Sequence, residues 1–453
     1  MKLCNILCIA LITSTCAQAA TIDEIIVRQQ WPWSTEIKVE YIISGVSEPV
    51  NITLEAFDGD IPLAIPASAV KGDVYGISAN GIGTISIDPE KAFAGRVAIP
   101  DFNVRLTPVA APANIGEVIY KIIDIESTPM PVTDVTRADI LNGKYGTYET
   151  DYSKIGPGFT TSLSDVLIWT GVTNGDLYRT SKIVLRKIPA AGKSFTMGVR
   201  ASQKDNTWQV SDVSVSFSHD YWMGVFEMTQ YQIRKLNPSY VSWETNTVYC
   251  DVRAGGQLCY SNIRGETNWP KKTDHSDVTA SSPIGVLQMQ TGLSKLDLPT
   301  EAMWEFAARA GTTTDLPSGK DYSLDNYAEI GRGWQINCIL ASTQPGNEGN
   351  DYPLRDSDLN YGLGKVGMYR PNAYGLYDTI GNAMEAVLDI FDPNNPPAGG
   401  LDPVGAPDWV GDCWFVQKGG SYQHQFNSLG YRARQVFWQT PAPSGFRLCL
   451  HEN

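Results

Sequence analysis

The chain has 453 residues, of which 42% are hydrophobic and only 19% charged, so it holds enough apolar material for more than one core and is not a disordered polyelectrolyte. Its formal net charge of −14 works against nucleic acid or an anionic membrane surface as a partner, because like charges repel. After the first segment, no run approaches the roughly 18 consecutive apolar residues that a membrane-spanning helix needs.

Residues 1–19 have the layout of a signal peptide: Lys2 is the basic start, Cys4 to Ile12 an apolar run, and Ala17-Gln18-Ala19 a small-residue cleavage site. The expected mature chain begins near Ala20 and is secreted, periplasmic or held at the cell envelope. Cys16 lacks the upstream leucine of a lipid-anchor site, which favours soluble export. Cleavage removes Cys4, Cys8 and Cys16 and leaves Cys250, Cys259, Cys338, Cys413 and Cys449, an odd set for an oxidising compartment. Cys250 and Cys259 flank a turn-like Arg253-Ala254-Gly255-Gly256, so a disulfide closing that loop is expected, stabilising by roughly 2–3 kcal/mol. No CxxC spacing occurs and His219, His275, His424 and His451 are scattered, which argues against a zinc site.

Residues 20–110 read as an all-β module. Ile37 to Ile43, Val50 to Ala56, Gly81 to Ile87 and Val104 to Val109 alternate with period two between turn formers, as in a small immunoglobulin-like sandwich. Thr107 to Ala113, rich in Pro and Ala, reads as a linker. It opens a region, 111–181, in which Val118 to Ile125 is strand-like. The last region, 182–453, opens with Ile183 to Pro189 and Phe195-Thr196-Met197-Gly198, followed by the alternating Val213 to Ser218. Trp222 to Tyr231 then turns helical around Glu227-Met228-Thr229.

Leu298-Pro299-Thr300-Glu301-Ala302-Met303-Trp304-Glu305-Phe306-Ala307-Ala308-Arg309-Ala310-Gly311 carries its own helix signals. Thr300 can cap the start, Glu301 suits the positive end of the dipole, and Gly311 ends it. Asp378-Thr379-Ile380-Gly381-Asn382-Ala383-Met384-Glu385 sets two carboxylates around a glycine turn, where carbonyls and carboxylates can form the all-oxygen shell a hard cation takes. Lys418-Gly419-Gly420-Ser421-Tyr422 and Ser444-Gly445-Phe446-Arg447-Leu448 complete the pattern. Phe446 reads as core, and Arg447 as a partner of buried carbonyls or a carboxylate.

In order and spacing these segments, from about 182 to 450, resemble the formylglycine-generating enzyme (sulfatase-modifying factor) family. That resemblance implies a loop-rich α+β fold similar to C-type lectins, and calcium held by Asp378, Gly381, Ala383 and Glu385. Family enzymes carry two cysteines after the Gly-Gly-Ser segment that hold Cu(I), and oxidise a substrate cysteine with oxygen. Those two positions fall here on His424 and Leu429, and leucine is no copper ligand. The resemblance therefore implies the fold, while the departure argues against copper and against cysteine-to-formylglycine oxidation. Ser421, Tyr422, His424 and Gln425 remain as candidates for a ligand groove taking an extended peptide or a glycan. The leading reading is an exported binding or assembly module. The alternative is an oxidoreductase with an altered metal site around His424 and Ser421.

Overall fold

The computed structural model describes residues 19–29, 34–95, 98–198, 212–241, 250–265, 275, 277–333, 362–391, 399–404, 414–423, 429, 433–436 and 444–452. Residues 1–18, Cys338, Cys413, His424 and Gln425 lie outside the described residues. The chain divides into two compact units, one of residues 1–117 and 136–144, the other of residues 118–135 and 145–453. Helices are few and reach at most nine residues among the described residues, and no described helix is long and apolar enough to cross a membrane.

The first unit has two sheets. One runs β1 (Thr21–Gln29), β2 (Ile37–Ser44), β6 (Gly81–Ile87), β5 (Val70–Gly72); the other runs β4 (Ile61–Leu63), β3 (Val50–Asp58), β7 (Phe102–Ala110). The alternation read from the sequence is a real inside–outside pattern. Val39, Tyr41 and Ile43 are buried while Ile42 between them is exposed. They share one apolar cluster with Ile85 and Ile87 of the same sheet and Ile52, Ala56 and Leu106 of the other. Residues 107–110, expected as linker, continue β7 against β3, with Thr107 opposite Thr53 and Ala110 opposite Val50. Residues 136–144 belong to this unit because Asn142 ties down its loop. The Asn142 Oδ1 accepts from Val74 N (3.2 Å) and Tyr75 N (2.8 Å), and its Nδ2 donates to Tyr75 O (2.9 Å).

The second unit is built on a six-stranded sheet of order β14 (Leu296–Asp297), β20 (Cys449–His451), β13 (Tyr221–Gly224), β10 (Lys182–Ile188), β8 (Val118–Asp124), β9 (Val132–Thr136). The region 111–181 is therefore not a separate body: β8 pairs with β10, Ile122 opposite Val184. Its nearly unbroken apolar run suits a strand covered on both faces. Along β13, Tyr221 and Met223 join one core cluster and Trp222 the other, so this sheet is buried on both sides. The Glu301–Arg309 helix packs into the first cluster, and the Gln230–Leu236 and Pro283–Thr291 helices into the second. A three-stranded sheet of β11 (Ser194–Met197), β12 (Val213–Ser216) and β16 (Gly400–Leu401) lies in the same unit. A four-stranded sheet of order β18 (Ala433–Val436), β17 (Trp414–Lys418), β15 (Met384–Ile390), β19 (Ser444–Phe446) carries the later motifs.

The loop-closing disulfide expected at Cys259 is not made. Cys259 is a free buried thiol at the start of the Tyr260–Arg264 helix, where its Sγ donates to Asn262 Oδ1 (2.9 Å). Cys449 is likewise free and buried in β20.

Beside β20 sits a buried ionic cluster. Arg264 donates through Nε and Nη2 to the two oxygens of Asp297, each at 2.7 Å, and His275 Nδ1 lies 2.8 Å from Asp297 Oδ2. Burial alone would raise the Asp297 carboxyl, but Arg264 and His275 outweigh it and hold it below the usual carboxylate range. The His451 ring centre lies 4.2 Å from that of His275 with the planes tilted by 37°, and its Nε2 bonds to Leu298 O (2.9 Å). Burial first, and His275 second, push His451 down to about 3. It therefore stays neutral in the fold while an unfolded histidine takes a proton near its ordinary value of 6.5. Its contribution is complete above that value and is lost as the pH falls toward 3, at roughly 1.4 kcal/mol per pH unit. The raised Asp378 (below) works in the opposite sense, so the prediction is a difference. Between pH 7 and 5 the unfolding midpoint of wild type should fall relative to that of His451→Gln, and parallel pH profiles would contradict it.

Candidate functional site

The three late motifs converge through a buried charge network on the Glu301–Arg309 helix, β15 and β17. Thr300 Oγ1 accepts from Met303 N (3.2 Å), and Asp389 Oδ2 of β15 accepts from Glu301 N (2.6 Å), so both residues hold the start of this helix. Ala310 closes it in the left-handed region at φ 44°, just before Gly311. Every helical residue from Glu301 to Arg309 is buried.

Glu305 Oε1 accepts from Arg309 Nε (2.9 Å), Arg309 Nη2 (2.7 Å) and Gly198 N (2.9 Å). Its Oε2 accepts from Lys418 Nζ (3.0 Å), which also lies 3.6 Å from Glu301 Oε1 and 5.7 Å from the centre of the Trp304 ring. Desolvation opposes ionisation of Glu305, yet Lys418 and Arg309 prevail and hold its carboxyl below the ordinary value. Within this half of the network, two carboxylates face two cations, and the charges balance.

The other half does not balance. Glu385 is gripped by Arg447, Nη2 to Oε1 at 2.8 Å and Nε to Oε2 at 3.0 Å, and its Oε2 also accepts from Trp304 Nε1 (2.7 Å). Arg447 spends its remaining N–H groups on Gly224 O (2.8 Å), Val225 O (2.9 Å) and Tyr377 O (2.7 Å). The arginine thus bonds both buried carbonyls and a carboxylate. Close by, Glu227 accepts from Asn382 Nδ2 (2.5 Å) and Ala383 N (2.9 Å). Burial, then Asp378 and Glu385, push Glu227 well above the usual carboxylate range. Asp378 Oδ2 accepts from Gly367 N (2.6 Å), while its buried Oδ1 has no hydrogen-bond partner among the described residues. Burial lifts Asp378 to about 6, with Glu385 adding to the rise against Arg447 and Arg179.

Asp378, Gly381, Ala383 and Glu385 thus lie where surplus negative charge is buried. The turn between them is tight: Asp378, Gly381 and Asn382 all have positive φ, at 54°, 74° and 55°. A Cβ on Gly381 would come 2.2 Å from Arg332 O, so only glycine fits there. Glu385 already bonds Arg447 and Trp304, and among the described residues no group of three or more His, Cys, Asp or Glu side chains converges as a ligand set. Any cation here would draw on backbone carbonyls as well as on the orphaned Asp378 oxygen.

The Gly-Gly-Ser segment lies against this turn, Gly381 N donating to Gly419 O (2.8 Å) and Tyr422 N to Asn382 O (2.9 Å). Ser421 and Tyr422 are buried rather than set along an open groove, and Ser421 Oγ accepts from Gln423 N (3.2 Å). His424 and Gln425 lie outside the described residues. Leu429 is fully buried in an apolar cluster with Trp304, Ala308, Val387, Phe391 and Val416. Glu227 is a site residue that the sequence pattern alone does not single out. Its only local signal is its place two residues before the Thr229 cap of the Gln230–Leu236 helix.

The family model for the sulfatase-modifying factor enzyme 1-like domain matches residues 186–451. A formylglycine-generating enzyme of Streptomyces coelicolor is 32% identical over 210 residues, which is 43% of this chain and 61% of that protein. The Bos taurus formylglycine-generating enzyme is 32% identical over 157 residues, 33% of this chain and 37% of that protein. The match thus spans less than two thirds of either relative. Among solved structures, PvdO from Pseudomonas aeruginosa aligns with 59% of this chain and 93% of its own at 20% identity, with a TM-score of 0.38. Treponema denticola variable protein 1 aligns with 59% and 95% at 19% identity, with a TM-score of 0.40.

Removing Arg447 strands the Glu385 charge. Arg447→Met should therefore cost about 3–5 kcal/mol in denaturant unfolding, and Arg447→Lys, which keeps the charge without the fork, should cost less. An Arg447→Met protein with the wild-type midpoint would show that this pair is dispensable.

Proposed function

Because residues 186–451 make this chain a member of the sulfatase-modifying factor enzyme 1-like family, we propose that it is a non-oxidising member acting as a binding or assembly module at the cell envelope. The observation that carries the reading is Leu429. By the family resemblance it stands where the second copper-binding cysteine belongs, and it is a fully buried hydrocarbon among Trp304, Val387 and Val416. A leucine side chain offers a soft metal no ligand. Export rests on the basic, apolar and small-residue layout of residues 1–19. The first unit, two sheets around one apolar cluster, reads as an immunoglobulin-like sandwich, a common carrier of interaction surfaces. The protein's ligand, taken by the second unit or by this sandwich, is proposed to be an extended peptide or a glycan.

Calcium is proposed as the structural ion of the second unit. The surplus of buried carboxylate and the orphaned Asp378 Oδ1 suit a hard cation, and Asp378, Glu385 and the carbonyls of Gly381 and Ala383 would hold it. Bound there, it would offset the mutual repulsion that, with burial, raises Asp378 and Glu227. Around it, the chain's own residues orient the turn: Gly367 N fixes Asp378, Arg447 fixes Glu385, and Glu227 fixes Asn382.

Two measurements test these statements separately. Offered copper, reductant, oxygen and a cysteine-containing peptide, the protein should consume no oxygen and leave the peptide mass unchanged; loss of the thiol with turnover would overturn the binding-module reading. Chelation of calcium should lower the melting temperature of wild type by several degrees, as expected when a ligand bound only to the folded state is withdrawn. Asp378→Ala should abolish that response, and a chelator-insensitive wild type would remove calcium from the account.

A further inference from the structure

Among the described residues, the edge strand β1 is paired only with β2 in its sheet. Its middle is apolar and open to solvent, with Ile25, Ile26 and Val27 each 36% exposed. An edge of this kind presents unspent N–H and C=O groups, and proteins ordinarily blunt it with charge, proline or a cover. The other long edge of the unit does so. On β7, Pro108 sits opposite Ile52, whose N–H is spent on the far side, on Val74 O at 2.7 Å. The Pro108 ring therefore faces the open edge and removes a donor there. β1 has no proline, and its charges follow a particular arrangement.

Taken about Ile26, the strand is self-complementary. Ile25 and Val27 flank the centre, Glu24 stands two residues before it and Arg28 two after. Two copies of β1 laid antiparallel about Ile26 would set Ile26 opposite Ile26, Ile25 opposite Val27, and Glu24 opposite Arg28 twice. Opposite charges and β-branched side chains facing one another across strands are stabilising, and the two-fold arrangement is the one a symmetric dimer needs. The local register permits it. β1 is irregular between Ile22 and Glu24 but regular from Glu24 to Gln29.

Glu24, Ile26 and Arg28 share one face, paired with Ile42, Glu40 and Lys38 of β2. On that face Ile42 (37% exposed) and Ile82 (77% exposed) lie opposite each other and widen the apolar surface. On the other face Val27 borders a cleft of about 510 Å³ shared with Ile37, Phe93, Ile99 and Phe102. A second β1 would bring its Ile25 beside Val27 at the mouth of that cleft. Arg28 also lies 3.2 Å from Glu40, and with 56% of its side chain exposed it can reach across the edge as well.

We infer that β1 is a self-association edge, through which two copies of this chain join their four-stranded sheets into one continuous sheet centred on Ile26. Sedimentation equilibrium of the whole protein tests this, with the expected result a concentration-dependent species of twice the monomer mass. Glu24→Lys and Arg28→Glu each place like charges at both junctions, and each should weaken the dimer at least tenfold while leaving the circular dichroism unchanged. Mixing the two variants should restore the dimer, because every junction then again joins opposite signs. Ile26→Lys, which sets like charges at the centre, should dissociate it and not be rescued by either variant. A protein that is monomeric at all concentrations, a dimer indifferent to both charge changes, or a failure of the mixture to recover would each overturn the inference.

Discussion

The second unit depends on one buried arginine. Arg447 gives all of its N–H groups to Glu385 and to the carbonyls of Gly224, Val225 and Tyr377. A buried guanidinium is tolerable only when every donor is matched, so these groups have to meet around it. They come from β13, the segment after it, the loop before the Gly381 turn, and β15. Trp304 Nε1, bonded to Glu385 Oε2 at 2.7 Å, brings the Glu301–Arg309 helix into the same knot. Segments far apart in the chain are thereby held in one arrangement.

That knot divides the buried charge unequally. Around Glu305 the carboxylates and cations match, and Glu305 stays ionised. Around Glu227, Asp378 and Glu385 the carboxylates outnumber the counter-charges that Arg447 and Arg179 supply. Burial and mutual repulsion raise Asp378 and Glu227. A scaffold of this kind has two ways to relieve the surplus, by binding protons or by binding a cation. On either route these carboxylates help to hold the turn in place, through Gly367 N on Asp378, Arg447 on Glu385 and Asn382 on Glu227.

Much of the fold was legible because it follows from periodicity and caps. The strand over 81–87, the alternation of Val39, Tyr41 and Ile43, and the Thr300 cap of the helix beginning at Glu301 are local properties of the sequence. The boundary near 111–181 was not legible. Strand β8 looks the same whether it stands alone or pairs with β10 some sixty residues later, and only tertiary pairing decides. Residues 107–110 read as linker because of Pro108, yet an edge strand tolerates proline on its open side. The expected bond at Cys259 failed for a related reason. Spacing in sequence places two thiols near one turn, but the Cys259 side chain is taken up by Asn262 at its own helix start. At the candidate site, Arg447 could be read in advance as a partner of buried acceptors, whereas Glu227, which bonds Asn382 across 155 residues, could not.

The proposal that this chain does not oxidise rests on a side chain rather than on the fold. Leu429 lies buried in an apolar cluster with Trp304, Ala308 and Val416, and a leucine side chain is no ligand for a soft ion. A competition titration with a chromogenic Cu(I) chelator puts this to the most direct test. The account predicts that the reduced protein leaves the metal with the chelator, and that His424→Ala changes nothing. One equivalent of Cu(I) withdrawn by wild type and released by His424→Ala would contradict it.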